Sequence, residues 1–204
     1  NAILLQAVML LIGKQQAVTA FLANALSPTP EPIPNTQAQQ AVAPQLGKRH
    51  KFDYQKWVNI LEQEAEVAAQ NKPRNLTVMA GDSLSLWFPS ELLPDSKTWL
   101  NQGISGEKTA GLLKRLNLFD KTTPESIFVM IGINDLITGV NDKTILDNQR
   151  QILNYLRKKH PKARIVVQSI LPHQGSQATW EGKEKLLAIP NSRIRNLNQQ
   201  LRTI

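Results

Sequence analysis

A chain of 204 residues, 41% of them hydrophobic, has enough apolar material for one ordinary globular domain with some non-globular sequence besides. It contains no cysteine, which excludes disulfides, a thiolate zinc site and a lipid-modified cysteine anchor while leaving the redox compartment open. The formal charge of +8 raises nucleic acid as a partner, but the cations scatter: the densest run, Arg157–Arg164, ends a predicted helix, and no aromatic residues interleave for base stacking, so nucleic acid is set aside.

The chain opens on Asn1, and its true start is expected upstream. Residues 1–26 form a hydrophobic N-terminal segment: Ala2–Ile12 is apolar except for Gln6, and a second apolar patch, Ala17–Leu26, follows Lys14-Gln15-Gln16. Neither patch has the length of a spanning helix. The segment reads as a membrane-anchor or signal remnant, with Ala23-Asn24-Ala25 as a small-x-small cleavage site, in preference to an amphipathic helix packed on the domain. Residues 27–48 read as a Pro-rich linker, since Ser27–Gln45 holds five prolines and almost nothing that fills a core. This layout predicts a protein tethered to a membrane or exported to the cell envelope, the alternative being cytoplasmic. The globular domain is expected over 49–204.

Within it, Tyr54, Trp57, Val58, Leu61, Ala65 and Ala68 recur at helical spacing and predict a helix that stops at Lys72-Pro73. A short apolar strand, Leu76–Ala80, runs into Gly81, and a weaker one is predicted over Trp99–Ile104. A helix carrying Thr109, Leu112, Leu113 and Leu116 on one face leads to a third strand, Ile127–Ile131, continuously apolar like strands buried on both faces. The next helix presents Ile145, Ile152, Leu153 and Leu156 and ends at His160-Pro161; a fourth strand follows at Ile165–Leu171. Ile194, Leu197, Leu201 and Ile204 predict a last helix running to the final residue. Alternating strands and helices imply an α/β fold, a parallel sheet with right-handed crossovers and helices on both faces. Ligands in such sheets sit beyond the carboxyl ends of the strands.

Polar devices cluster at those ends. Gly81-Asp82-Ser83-Leu84-Ser85 follows the first strand, where glycine lets the backbone turn sharply and leaves a serine hydroxyl at the sheet edge. Asn101-Gln102-Gly103-Ile104-Ser105-Gly106-Glu107 follows the second, where glycine permits close backbone approach and amides face a developing anion. Gly132-Ile133-Asn134-Asp135 follows the third and offers an Asn side-chain donor. Each taken alone is ordinary turn chemistry. In combination they set one nucleophile and two donors on one edge of a sheet.

In this order, GDSL, NxGISGE and GIND resemble the first three blocks of the SGNH (GDSL) hydrolase superfamily. Gln168-Ser169-Ile170-Leu171-Pro172 is similar to the fourth strand of its bacterial lipase and acetylhydrolase-like members. The resemblance implies a three-layer α/β/α, flavodoxin-like sheet and a serine ester hydrolase. It assigns Ser83 as the nucleophile, Gly106 as the backbone oxyanion donor with Gly103 as second choice, and Asn134 as the side-chain donor, the Ser83 amide completing the hole. Asp82 and Asp135 are assigned structural roles in the turns. No metal or organic cofactor is implied.

One signature is missing. The family's Asp three residues before a His, which supplies and orients the general base, occurs at none of the three histidines: His50 precedes the serine, His160 has Arg157 three before it, and His173 has Ile170. The domain is therefore expected to be incomplete at its C-terminus, with a last strand and helix, the His and the Asp beyond Ile204. His173 lies on the catalytic edge and lines the pocket or is a solvated loop residue. Trp87, Phe88 and Pro89 are expected to cap the core in preference to walling the pocket. Expected partners are small-molecule or lipid and glycan ester substrates, with a membrane tether as a further expectation; the alternative is a non-catalytic SGNH-like module binding acylated or glycan ligands.

Overall fold

The computed structural model describes residues 52–178 and 182–204. The hydrophobic segment 1–26, the linker 27–48 and the predicted domain start at 49 lie outside the described residues, as does His50. Among the described residues no helix is long and apolar enough to cross a membrane.

Helix α1 spans Tyr54–Asn71. Asp53 caps it by accepting from the Lys56 N–H at 2.8 Å, and Lys72 ends it in the left-handed region at φ 45°, ahead of Pro73. Four parallel strands follow: β1 (Leu76–Gly81), β2 (Thr98–Gly103), β3 (Ser126–Met130) and β4 (Arg164–Val167), in the spatial order β2-β1-β3-β4. Strand β1 is central and buried along its whole length, Thr77 included. Its register pairs Gly81 with Gly103 on one side and with Met130 on the other, so the ends of three strands come level. That level edge is where the polar turns emerge.

Alternation sorts the strand residues by face. Val78, Ala80, Leu100, Ile127 and Val129 pack into one core with Ala65 of α1, with Leu112 of α3 (Thr109–Arg115) and with Ile152 and Leu156 of α5 (Asp142–Lys159). On the other face Trp99 and Phe128 approach in a tilted pair, ring centroids 6.2 Å apart. A second core cluster joins Leu136, Ile145, Ile170, Ile189, Ile194 and Leu197 beyond the β4 end of the sheet. It unites α4 (Ile133–Ile137), α5 and the last helix, α7 (Asn191–Leu201); α2 (Ser83–Leu86) and α6 (Lys183–Leu187) are single turns beside the strand ends. The α/β class with a parallel sheet and flanking helices is as the sequence predicts.

The larger differences from the predicted elements lie in the second half of the domain. Strand β4 stops at Val167 rather than Leu171, because it pairs only with β3, and its ladder closes when the Gln168 N–H donates to the Val129 carbonyl at 2.8 Å. Ile170 then turns away to pack in the second cluster. The last helix begins at Asn191, after Pro190, and ends at Leu201, so Ile204 lies outside the helix instead of extending its stripe. The short helices α2, α4 and α6 have no counterpart in the predicted elements, being too short for a helical period to register.

Candidate active site

Ser83 opens the helical turn α2 directly after β1. Asp82 caps that turn, its Oδ1 accepting from the Leu84 N–H at 2.9 Å, and its own N–H is fixed by the Met130 carbonyl of the neighbouring strand. Gly103 makes the tight turn possible from the other side: a Cβ there would fall 2.5 Å from the Leu86 nitrogen and 2.9 Å from the Asp82 oxygen. Its part is thus to let β2 approach the serine turn. Gly106 is different, exposed and held at φ +77°, a conformation that L side chains rarely adopt.

Ser83, Gly106 and Asn134 come together on the wall of one cavity of about 430 Å³, completed chiefly by apolar side chains, Leu84, Ile133, Ile137, Leu171 and Leu186 among them. Gly103 does not line it. Among the described residues the Ser83 and Gly106 amides donate to no other group. Asn134 spends one of its two Nδ2 hydrogens on the Glu107 carbonyl at 3.0 Å, which fixes the amide and leaves its second hydrogen free.

A buried ionic network that the sequence reading missed stands behind this wall. The Arg115 Nε donates to Glu107 Oε2 at 2.6 Å, Nη2 reaches the same oxygen, and the two side chains are 3% and 1% exposed. Arg115 also donates through Nη1 to the Gln102 carbonyl at 2.9 Å and through Nη2 to the Gly81 carbonyl at 3.2 Å, tying together the ends of β1 and β2. Tyr54 donates to Glu107 Oε1 at 2.8 Å; burial, then the Glu107 carboxylate, push its hydroxyl up to about 12. Glu107 therefore holds Asn134 through its backbone while its side chain is gripped from two other elements. Thr109 donates to Asp135 through both its N–H, at 2.9 Å, and its hydroxyl, so Asp135 anchors α4 to α3.

His173 lines the cavity but offers no free nitrogen. Nδ1 accepts from the Gly175 N–H at 3.1 Å, so the tautomer carries its proton on Nε2, which donates to the Ile189 carbonyl at 2.8 Å. His160 is buried against Phe119, beyond the opposite end of the sheet from Ser83. Neither described histidine is placed to take a proton from Ser83. Trp87 and Phe88 also depart from expectation: they are 70% and 38% exposed, not core caps, because the α2 turn leaves the sheet edge and carries them outward.

Comparison with known proteins gives the family and the fold. The GDSL-like lipase/acylhydrolase family matches residues 76–204. An arylesterase from Vibrio mimicus is 30% identical over 125 residues, a match covering 54% of this chain and 62% of that protein, so the chain spans less than two thirds of its relative's length. Among solved structures, a Streptococcus pneumonia protein assigned as a platelet activating factor superposes with a TM-score of 0.61 at 26% identity, over 73% of this chain and 70% of that one. A GDSL-like lipase from Bacteroides thetaiotaomicron, at 16% identity, shares the fold with a TM-score of 0.52 over 72% and 73% of the two chains. The chain belongs to the GDSL-like lipase/acylhydrolase family.

Proposed function

We propose that this protein is a serine ester hydrolase acting through an acyl-enzyme on Ser83. The observation that carries the proposal is that Ser83, Gly106 and Asn134 line one largely apolar cavity while the Ser83 and Gly106 amides and one Asn134 Nδ2 hydrogen have no other partner among the described residues. In the reaction Ser83 Oγ attacks the ester carbonyl carbon and its proton passes to a base. The carbonyl oxygen becomes an oxyanion that accepts from the Ser83 and Gly106 N–H groups and from Asn134 Nδ2. Collapse of the intermediate breaks the bond to the alkoxy oxygen, which leaves as the alcohol with that proton; water then attacks the acyl-enzyme and releases the acid and Ser83. The base is a group other than the two described histidines. The apolar walls favour esters with an apolar acyl group, in small molecules or in lipids.

A fluorophosphonate probe applied to the full chain, with mass spectrometry of the labelled peptide, tests this reading. The adduct is expected on Ser83, and Asn134→Ala is expected to slow its formation by about the 10² to 10³ that loss of one such donor costs. Labelling of Ser105, which is exposed on the same cavity, with Ser83 unmodified would overturn the assignment. No labelling at all would favour a module that binds acylated or glycan ligands without hydrolysing them.

A further inference from the structure

The turn that carries Gly106 is exposed except at one residue. Ser105, Gly106 and Lys108 face water, a Cβ on Gly106 would meet no atom within 4 Å, and the turn closes on itself where the Glu107 N–H donates to the Ile104 carbonyl at 3.2 Å. Glu107 alone goes inward, and it is 5% exposed. Two features of its seat run against stability. The first is the ion pair with Arg115, since a buried pair is commonly no more stabilising than apolar side chains of the same volume, both ions having lost their water. The second is Gly111. It lies inside α3 with ordinary helical backbone, where glycine is a poorer residue than alanine, and a Cβ there would fall 2.6 Å from Glu107 Oε1 and 3.1 Å from Glu107 Cγ. Oε1 is not free to swing aside, because Tyr54 donates to it at 2.8 Å while Arg115 holds the other oxygen. The missing side chain at Gly111 thus makes room for one carboxylate.

Stability accounts for neither feature, whereas the geometry of the site accounts for both. The Glu107 carbonyl accepts from Asn134 Nδ2 at 3.0 Å, and the guanidinium that grips the carboxylate also donates to the Gly81 carbonyl, two residues before Ser83. Through this one side chain the Ser83 turn, the Gly106 turn and the Asn134 amide are fixed relative to one another. We propose that Glu107 is a positioning residue for the oxyanion hole, its carboxylate seated between Arg115, Tyr54 and Gly111 so that Gly106 and Asn134 keep their places beside Ser83. As a statement about catalysis, the proposal rests on Ser83 being the nucleophile; as a statement about what holds the Asn134 amide, it does not.

Glu107→Gln would strand a buried guanidinium and weaken the whole chain, so the seat is disturbed from its two edges instead, by Gly111→Ala and, separately, Tyr54→Phe in the full chain. The first readout is the pair of Asn134 Nδ2 proton shifts in a nitrogen-edited NMR spectrum, identified by their loss in Asn134→Ala. The hydrogen-bonded proton is expected downfield of the free one, and in both variants the separation is expected to shrink, with backbone shifts altered over Ser105–Gly111 and around Asn134 but not along β3 and β4. The second readout is fluorophosphonate labelling of Ser83 at a series of probe concentrations. The maximal labelling rate is expected to fall about tenfold to a hundredfold, as donors moved by up to about 1 Å would cause, with the half-saturating concentration unchanged. An unchanged Asn134 separation in both folded variants overturns the proposal. So does a shrinkage that comes with shift changes throughout the sheet, which marks a structural role only, and so does a labelling rate that is unchanged or falls only through weaker probe binding. Should Ser83 of the unsubstituted chain take no label, the nucleophile assignment fails by itself, and the Asn134 shifts decide what Glu107 holds.

Discussion

Asp82, one residue before the proposed nucleophile, has no exposed surface, and only one of its oxygens is used: Oδ1 accepts from Leu84, while Oδ2 is buried without a partner. Burial pushes its pKa up from 3.8 to about 6; the Leu84 N–H opposes the rise, and the carboxylates of Asp135 and Glu107 add to it. The folded-state value lies above the unfolded one, so the contribution to stability is fully present below pH 3.8 and is lost as pH rises through about 6. A difference of about two units corresponds to a cost on the order of 3 kcal/mol at neutral pH. The carboxylate is thus tolerated for the cap it provides, and the cap is available without the charge. Asp82→Asn keeps the Oδ1 acceptor and should raise the urea midpoint near neutral pH while leaving it unchanged below pH 3.8. Urea titrations at the two pH values decide it; the same difference at both would mean that something other than the charge is costly.

At the scale of elements, the feature that shapes the cavity is a pair of amide clamps on α7. Asn191 and Asn198 lie seven residues apart and so project from the same side of the helix. Asn198 accepts from the Ile170 N–H at 2.9 Å and donates to its carbonyl at 2.8 Å; Asn191 does the same for His173 at 3.1 and 2.9 Å. Chain that has left the sheet at Val167 is thereby held as though paired with a further strand, and Leu171, Pro172 and His173 line the cavity. Asn198→Ala removes two bonds and should cost about 1 to 3 kcal/mol, with faster hydrogen exchange at Ile170, whereas exchange in β1 follows only the global change. Unchanged protection at Ile170 would show that packing alone holds the segment. These clamps were not legible in the sequence, because an asparagine on a helix reads as solvated until its partner, some twenty or thirty residues away, is known. Arg115 and Glu107 were hidden for the same reason, charged residues normally being read as surface. What the sequence did carry were local signals: the period that marks α1 and α5, the Lys72-Pro73 stop, the apolar runs of β1 and β3, and the strand-end turns that bring Ser83, Gly106 and Asn134 to one edge. Trp87 shows the limit of composition, since which way a single helical turn points depends on the sheet edge it leaves.

At the scale of the whole molecule, two buried groups at opposite ends of the sheet, His160 and Asp82, titrate in opposed senses. His160 ends α5, its N–H donating to the Leu156 carbonyl at 2.8 Å, and it stacks on Phe119 with ring centroids 5.5 Å apart and planes 13° from parallel. It is only 5% exposed and its Nε2 has no partner. Burial holds its pKa below 6.5; Asp120 opposes that shift and Lys159 adds to it. The unfolded chain therefore binds the proton more readily, so this stabilising contribution is complete above pH 6.5 and declines as pH falls below it. Asp82 acts in the reverse sense over part of the same range, and Asp135 and Glu64, also raised by burial, act with Asp82. Mild acid thus charges His160 while discharging Asp82 and Asp135 near Ser83, and these contributions oppose each other. The two should separate by mutation. In an Asp82→Asn background the melting temperature should fall more steeply on acidification below pH 6.5 than in the unsubstituted chain, because the compensating carboxyl is gone. Adding His160→Gln, neutral at every pH, should remove most of that slope, although the lost stack lowers the melting temperature at all pH values. Thermal melts across the range test both steps. A slope that persists in the double variant would place the acid sensitivity elsewhere than in this histidine.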